Sequence, residues 1–160
     1  KIDIESYVVE TVEVGEGPLA LSILNNDLYV SRTYYDSNWT PFYGTSKVGS
    51  DGLNLVSNNY GSGVACGGSI ASKGSHVYRS FDGGFAPLSP DLNINSSDKI
   101  GDFESSLVYN IQIIDNYIWF CLTDHSSMNE VKILDFSGNE LHSYQTGIAP
   151  GDIATWTTNR

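Results

Sequence analysis

At 160 residues, with 40% hydrophobic and 12% aromatic side chains, the chain can bury one sizeable core and is too apolar to be disordered. A formal net charge of −11, with eight Lys and Arg against 19 Asp and Glu, argues against a nucleic-acid partner, because phosphate binding draws on clustered cations. The acidity is read first as solubility and only second as cation binding.

The N-terminal runs Lys1-Ile2-Asp3-Ile4-Glu5 and Tyr7-Val8-Val9-Glu10-Thr11-Val12-Glu13-Val14 predict two strands. Gly15-Glu16-Gly17-Pro18 then opens a phrase made of a strand, a tight turn and a second strand, Leu28-Tyr29-Val30-Ser31. Residues 32–43 follow as a long predicted connection to two further strands. A second copy of the phrase runs from Gly61-Ser62-Gly63 through Ser69-Ile70-Ala71 and the turn Ser72-Lys73-Gly74-Ser75 into Val77-Tyr78-Arg79-Ser80, with a short loop over 82–86. The third runs from Gly101 through Leu107-Val108-Tyr109-Asn110-Ile111 and the turn Asp115-Asn116 into Ile118-Trp119-Phe120-Cys121. After a polar loop over 123–129 it continues with Val131 to Phe136, the turn Ser137-Gly138-Asn139, and Glu140 to Tyr144. A fourth copy begins at Gly147-Ile148-Ala149-Pro150. The 132 residues from Gly15 to Gly147 make three copies of 44, the length of a four-stranded propeller blade. No window carries a sustained i, i+3, i+4, i+7 apolar stripe, so almost no helix is expected.

The repeat therefore predicts an all-β chain. It reads as a single β-propeller segment over 1–160, of about three four-stranded antiparallel blades at 15–60, 61–100 and 101–146. The end of one blade is placed at 1–14 and the first strand of another at 147–160. A ring closes on roughly four to eight blades. The remaining blades are expected from the same longer chain or from a second copy, since an uncovered terminal sheet exposes packing surface.

Leu28-Tyr29-Val30-Ser31 resembles the core of the YVTN-type β-propeller repeats, and residues 131–151, with Asp135-Phe136-Ser137-Gly138-Asn139 and Thr146-Gly147-Ile148-Ala149-Pro150-Gly151, look like the end of one such blade and the start of the next. Val77-Tyr78-Arg79-Ser80 and Ile118-Trp119-Phe120-Cys121 keep the strand character but not the motif letters. Members of that family include bacterial cell-surface propellers, some of which capture small molecules such as cobalamin at the outer membrane. The resemblance implies an exported, extracellular or cell-surface protein with an outer-membrane-associated partner among its candidate partners.

No constellation for catalysis stands out. His76, His125 and His142 read as surface or turn histidines, and there is no Gly-x-Ser-x-Gly elbow, His-Glu-x-x-His motif or phosphate-cradling loop. Cys66 and Cys121 read as buried free thiols, with a bridge between blades as the alternative, and neither has zinc-ligand spacing. The Asp- and Asn-rich turns lack the spacing of a calcium loop, so no cofactor is assigned, and structural Ca²⁺ stays an open alternative. Asn38-Trp39-Thr40 and Asn95-Ser96-Ser97 fit the N-glycosylation pattern, which matters only in a eukaryotic secretory host.

The connection over 32–43 is the most suggestive stretch, because it carries far more aromatic residues than the aligned loops. Rings beside an arginine give large contact area at low entropic cost and stack on sugars, rings or peptides. Arg32, Tyr34, Tyr35, Trp39 and Tyr43, with Arg79 of the second copy, are the candidate ligand-binding residues. The expected function is non-catalytic recognition of a small molecule, glycan or protein partner through aromatic loops on one face. The alternatives are a fragment of a propeller-fold hydrolase or lyase with active-site residues outside this chain, and a purely adhesive platform.

Overall fold

The computed structural model describes residues 2–63, 68–127 and 129–156. Lys1, Cys66 and residues 157–160, given strand or thiol roles above, lie outside them. Within the described residues the chain is all-β: eleven strands form three antiparallel sheets, and the only helical piece is a 3-10 turn at Ser96–Asp98.

The first sheet holds β1 (Pro18–Leu24), β2 (Asp27–Tyr35), β3 (Pro41–Gly49) and β4 (Val56–Ser62), side by side in chain order. Asn25 and Asn26, both at positive φ (51° and 67°), close β1 onto β2 in the two-residue turn whose twist matches a hairpin. The long connection expected over 32–43 is in fact mostly strand. β2 and β3 pair continuously from Asp27↔Gly49 to Tyr35↔Pro41, which leaves only residues 36–40 to turn. The β-branched and aromatic side chains of that stretch suit a pleated, half-buried surface, and the ladder across the hairpin takes them up.

The second sheet is smaller than the four strands expected: β5 (Ile70–Lys73), β6 (His76–Phe81) and β7 (Gly84–Pro87). Asp82 and Gly83 form a two-residue turn, again with both φ positive, in place of the expected loop over 82–86. A fourth strand is replaced by two separate bridges, Phe85↔Ile100 and Leu88↔Ile94, on either side of the 3-10 turn. Asn93, Asn95, Ser96, Ser97 and Asp98 make local bonds instead of alternating: Asn95 Nδ2 donates to Asp98 Oδ2 at 2.7 Å and Ser97 Oγ to Asn95 Oδ1 at 2.7 Å.

The third sheet follows the sequence pattern throughout: β8 (Val108–Ile114), β9 (Tyr117–Thr123), β10 (Asn129–Leu134) and β11 (Glu140–Gln145).

The sheets stack face to face, with their first strands β1, β5 and β8 as neighbours. Ile70, Val77, Leu88 and Leu92 meet Ala20, Leu24 and Tyr29 between the first two sheets. Between the second and third, Phe85, Ala71 and Tyr78 meet Val108, Ile111, Ile118, Phe120 and Leu122. The fully buried ones, Leu92, Phe85, Ile118 and Phe120, each contribute about 1.5–3 kcal/mol. Polar stitches link successive sheets: Ser31 Oγ on β2 donates to the Gly68 carbonyl just before β5, Ser69 Oγ to Asn110 Oδ1 on β8 at 2.9 Å, and Asn110 Nδ2 to the Gly151 carbonyl at 2.7 Å.

The two ends depart from expectation. Over residues 2–14 the two predicted strands reduce to one bridge, Ile2↔Val9, around a turn at Tyr7 (φ 57°). The segment crosses the far face of the first sheet, where the Val14 carbonyl accepts from Ser46 Oγ at 2.6 Å, but Leu21 and Ile23 stay 64% and 63% exposed. Residues 147–156 form no strand; with Ala149 at φ 54° they lie over Trp119 and Val131 of the third sheet and are held by side-chain bonds instead of a ladder.

Candidate functional site

In an antiparallel meander the start of the first strand lies beside the turn from the second strand to the third. The turns 36–40 and Asp82-Gly83 and the loop over 124–127 therefore sit at the ends where β1, β5 and β8 begin. This end holds a cluster of polar and aromatic side chains.

Its centre is Arg79, fully buried on β6. The guanidinium lies 5.4 Å from the Tyr43 ring centroid and 5.3 Å from that of Tyr60. Nη1 donates to the Gly44 carbonyl and, at 2.7 Å, to Thr45 Oγ1. Among the described residues no carboxylate comes within 4.0 Å of it, while its Nε and Nη2 lack partners. Burial pulls Arg79 down to about 10, with the Tyr60 and Tyr43 phenols opposing the shift, so it is a cation at neutral pH held by rings and carbonyl oxygen. Burial likewise raises Tyr60, keeping it a neutral phenol that donates to the Leu92 carbonyl at 2.5 Å.

Beside this cluster a cavity of about 280 Å³ opens at the ends of all three sheets, lined by Tyr43 and Ser62 of the first, Ser80 and Phe81 of the second and Val108 of the third. Tyr43 and Phe81 give it aromatic wall, Ser62, Ser80 and Ser105 give hydroxyls, and Gly83 and Gly84 give bare backbone. Gly83 stands at φ 72° with the Phe103 carbonyl where a Cβ would project, so only glycine fits there. Ser80 is 2% exposed and its hydroxyl has no partner. At the rim Asp82 is shared with Lys99, whose Nζ is 3.6 Å from Asp82 Oδ2 and 2.8 Å from Asp102 Oδ1. A larger groove of about 630 Å³ runs past His76, Asn95 and Phe136, but no buried unpartnered atom belongs to its lining.

The six candidate residues fall into three pairs. Tyr43 and Arg79 meet at the sheet junction. Arg32 lies on the opposite face of the first sheet, where it is buried, 5.4 Å from the Tyr34 ring, and donates from Nη2 to Asn59 Oδ1 at 2.5 Å. Tyr34 stacks on Phe42 at 5.8 Å. Tyr35 and Trp39 form an exposed pair at the turn, 53% and 80% accessible with centroids 6.0 Å apart. Trp39 is fixed at φ 61°: Asp36 Oδ1 accepts from the Asn38 and Thr40 amides at 2.8 Å each, and the Trp39 amide donates to the Asp36 carbonyl at 3.0 Å. The Thr40 amide, ahead of that of Asn38, holds the Asp36 carboxyl below the usual range.

Tyr60 and Ser80 escape the sequence reading. Ser80 is visible in retrospect, because it occupies in Val77-Tyr78-Arg79-Ser80 the place of Ser31 in Leu28-Tyr29-Val30-Ser31. His76 begins β6, His125 sits in a loop and His142 is exposed on β11, far apart in the topology. Among the described residues no group of three His, Cys, Asp or Glu could hold a metal ion. Cys121 is buried and free, and burial, followed by Asp152, pushes its thiol up to about 11.

No family model, curated protein or solved structure matches this chain.

Proposed function

We propose that the chain is part of a β-propeller that recognises a small molecule, glycan or protein partner without catalysing a reaction, in an exported bacterial cell-surface protein. The observation that carries recognition is the Tyr35–Trp39 pair, held out at a turn whose backbone is fixed by Asp36. Trp is the side chain most enriched among binding anchors, and a preorganised Trp loses little entropy on contact. Three observations support the propeller reading: the 44-residue repeat, the chain-order meanders, and the neighbouring first strands. In this reading the further blades, from a longer chain or a second copy, pack on the apolar far face of the first sheet. The exported setting rests on the resemblance to YVTN-type propellers.

The test is to immobilise the chain and probe it with a glycan array, a peptide library and soluble small molecules, corrinoids included. Tyr35→Ala with Trp39→Ala is expected to weaken the captured ligand about tenfold or more at an unchanged melting temperature. Capture that ignores the double substitution, or no capture by any class, sinks the reading.

A further inference from the structure

The cavity lined by Ser80 is a separate matter from the exposed aromatic pair, although it shares the same end of the molecule. Its size of about 280 Å³ lies at the small end of ligand pockets, which run from about 300 to 1,000 Å³. That suits one ring and not a chain or a large cofactor. Its chemistry narrows the ligand further. No basic side chain lines it, its one charged lining residue is Asp82, and the nearest ammonium, that of Lys99, is engaged by Asp82 and Asp102, so the lining favours a neutral ligand over an anion. No three-ligand cluster for a cation exists among the described residues. What remains is three hydroxyls, each able to donate and accept, the side-chain-free backbone of Gly83 and Gly84, and two aromatic walls.

Ser80 decides the matter. A hydroxyl buried to this degree almost always has a partner, and leaving it without one is costly. The equivalent Ser31 has its partner in the Gly68 carbonyl, so the repeat itself does not require an empty donor here. Tyr43, the neighbouring wall, is preorganised by Arg79 on one side and by Tyr60, 5.4 Å away, on another.

We infer that this cavity receives one neutral, hydroxyl-rich ring, a monosaccharide unit, whose hydroxyl pairs with Ser80 while its apolar face packs on Tyr43 or Phe81. Ser62 and Ser105 at the sides and Asp82 at the rim supply further hydrogen bonds. The inference rests on reading this end as a recognition surface, and it adds a ligand class and a second site.

The experiment is an NMR titration of the full 160-residue chain, following the Gly83 and Gly84 amides, with glucose, galactose, mannose and N-acetylglucosamine, each also as a disaccharide carrying that ring at its non-reducing end. At least one sugar is expected to shift both amides saturably. Tighter binding of the disaccharide marks the terminus of a glycan as the source, and equal binding marks the free sugar. Ser80→Ala is expected to weaken binding about tenfold, the cost of one hydrogen bond, with the melting temperature unchanged or raised. Ser105→Ala, at an exposed position where folding is not at stake, is expected to weaken it about threefold. Failure of every sugar to shift the two amides overturns the inference, as does a Ser80→Ala protein that binds like the parent or melts several degrees lower. If Tyr35→Ala with Trp39→Ala abolishes ligand capture while the sugars leave Gly83 and Gly84 unmoved, the cavity inference falls alone. If the sugars bind and the double substitution changes nothing, the aromatic-pair reading falls alone.

Discussion

One repeated serine position is closed by a hydrogen bond between the first and second sheets and is left without a partner on the side of the second sheet that faces the third. Ser31 on β2 reaches across to the Gly68 carbonyl, whereas Ser80, its counterpart on β6, faces the cavity without a partner. The reason lies one strand away. Pairing of Ile70 with Arg79 and of Ile111 with Phe120 puts Gly68 and Tyr109 at equivalent places. Gly68 stands at φ 47°, which a tyrosine adopts only at a cost, so the same carbonyl is not presented to Ser80. One repeated position is thus a stitch in the first copy and an open donor in the second. In the third copy it is Cys121.

The largest test of this contrast is to empty the junction between the first and second sheets. Arg79→Ala removes a fully buried side chain and leaves the Gly44 carbonyl without its donor, so it is expected to destabilise the fold by about 3–4 kcal/mol in urea unfolding. Arg79→Met, which keeps the volume and removes the unpaired charge but strands the same carbonyl, should cost less, about 1–2 kcal/mol. A methionine variant as unstable as the alanine one would mean that the cation itself holds the sheets together.

The two serines give the next test. Ser31→Ala is expected to cost about 1–2 kcal/mol because it strands a buried carbonyl, while Ser80→Ala should stay within about 0.5 kcal/mol of the parent. Equal losses in the two unfolding curves would erase the distinction between the two positions.

Smaller effects come from the turns. Asp36 is held down by the Thr40 amide first, and Asp135 by the Asn139 side chain and then its amide, so both folded-state values lie below the unfolded one of about 3.9. The ionised forms therefore favour the folded chain. Their stabilisation is complete above about pH 5 and is lost progressively as the pH falls through the unfolded and then the lower folded values. Melting temperatures between pH 2 and 6 should drop on the acid side, and Asp36→Asn with Asp135→Asn should flatten that drop.

The smallest effect concerns Cys121. In a Cys66→Ser background its thiol, raised to about 11 by burial, should resist alkylation at pH 8 and react once urea is added. Rapid labelling of the folded protein would show that residues 147–156 do not cover the third sheet.

The third sheet was legible strand by strand because its signals are local: alternation in Val131 to Leu134, the Asp115-Asn116 turn and the Ser137-Gly138-Asn139 turn each lie within a few residues of what they specify. The stretch 32–43 was not, since a buried Arg32 breaks the apolar pattern and adjacent Tyr34 and Tyr35 resemble a loop until β3 is seen to pair with them. Arg79 and Tyr43 were both singled out, yet their contact depends on how two sheets stack, which no spacing encodes. Ser80 was passed over because an ordinary serine becomes conspicuous only when its burial and its missing partner are known.

The stitches Ser31 to Gly68, Ser69 to Asn110 and Asn110 to Gly151 have a mechanical meaning. Apolar faces attract without direction and would let one sheet slide over the next with little change in buried area. A donor that meets its acceptor at only one offset removes that freedom. Under a pulling force along the strands, the stack should therefore resist shear up to the rupture of these few bonds and then yield abruptly, sheet by sheet, instead of creeping.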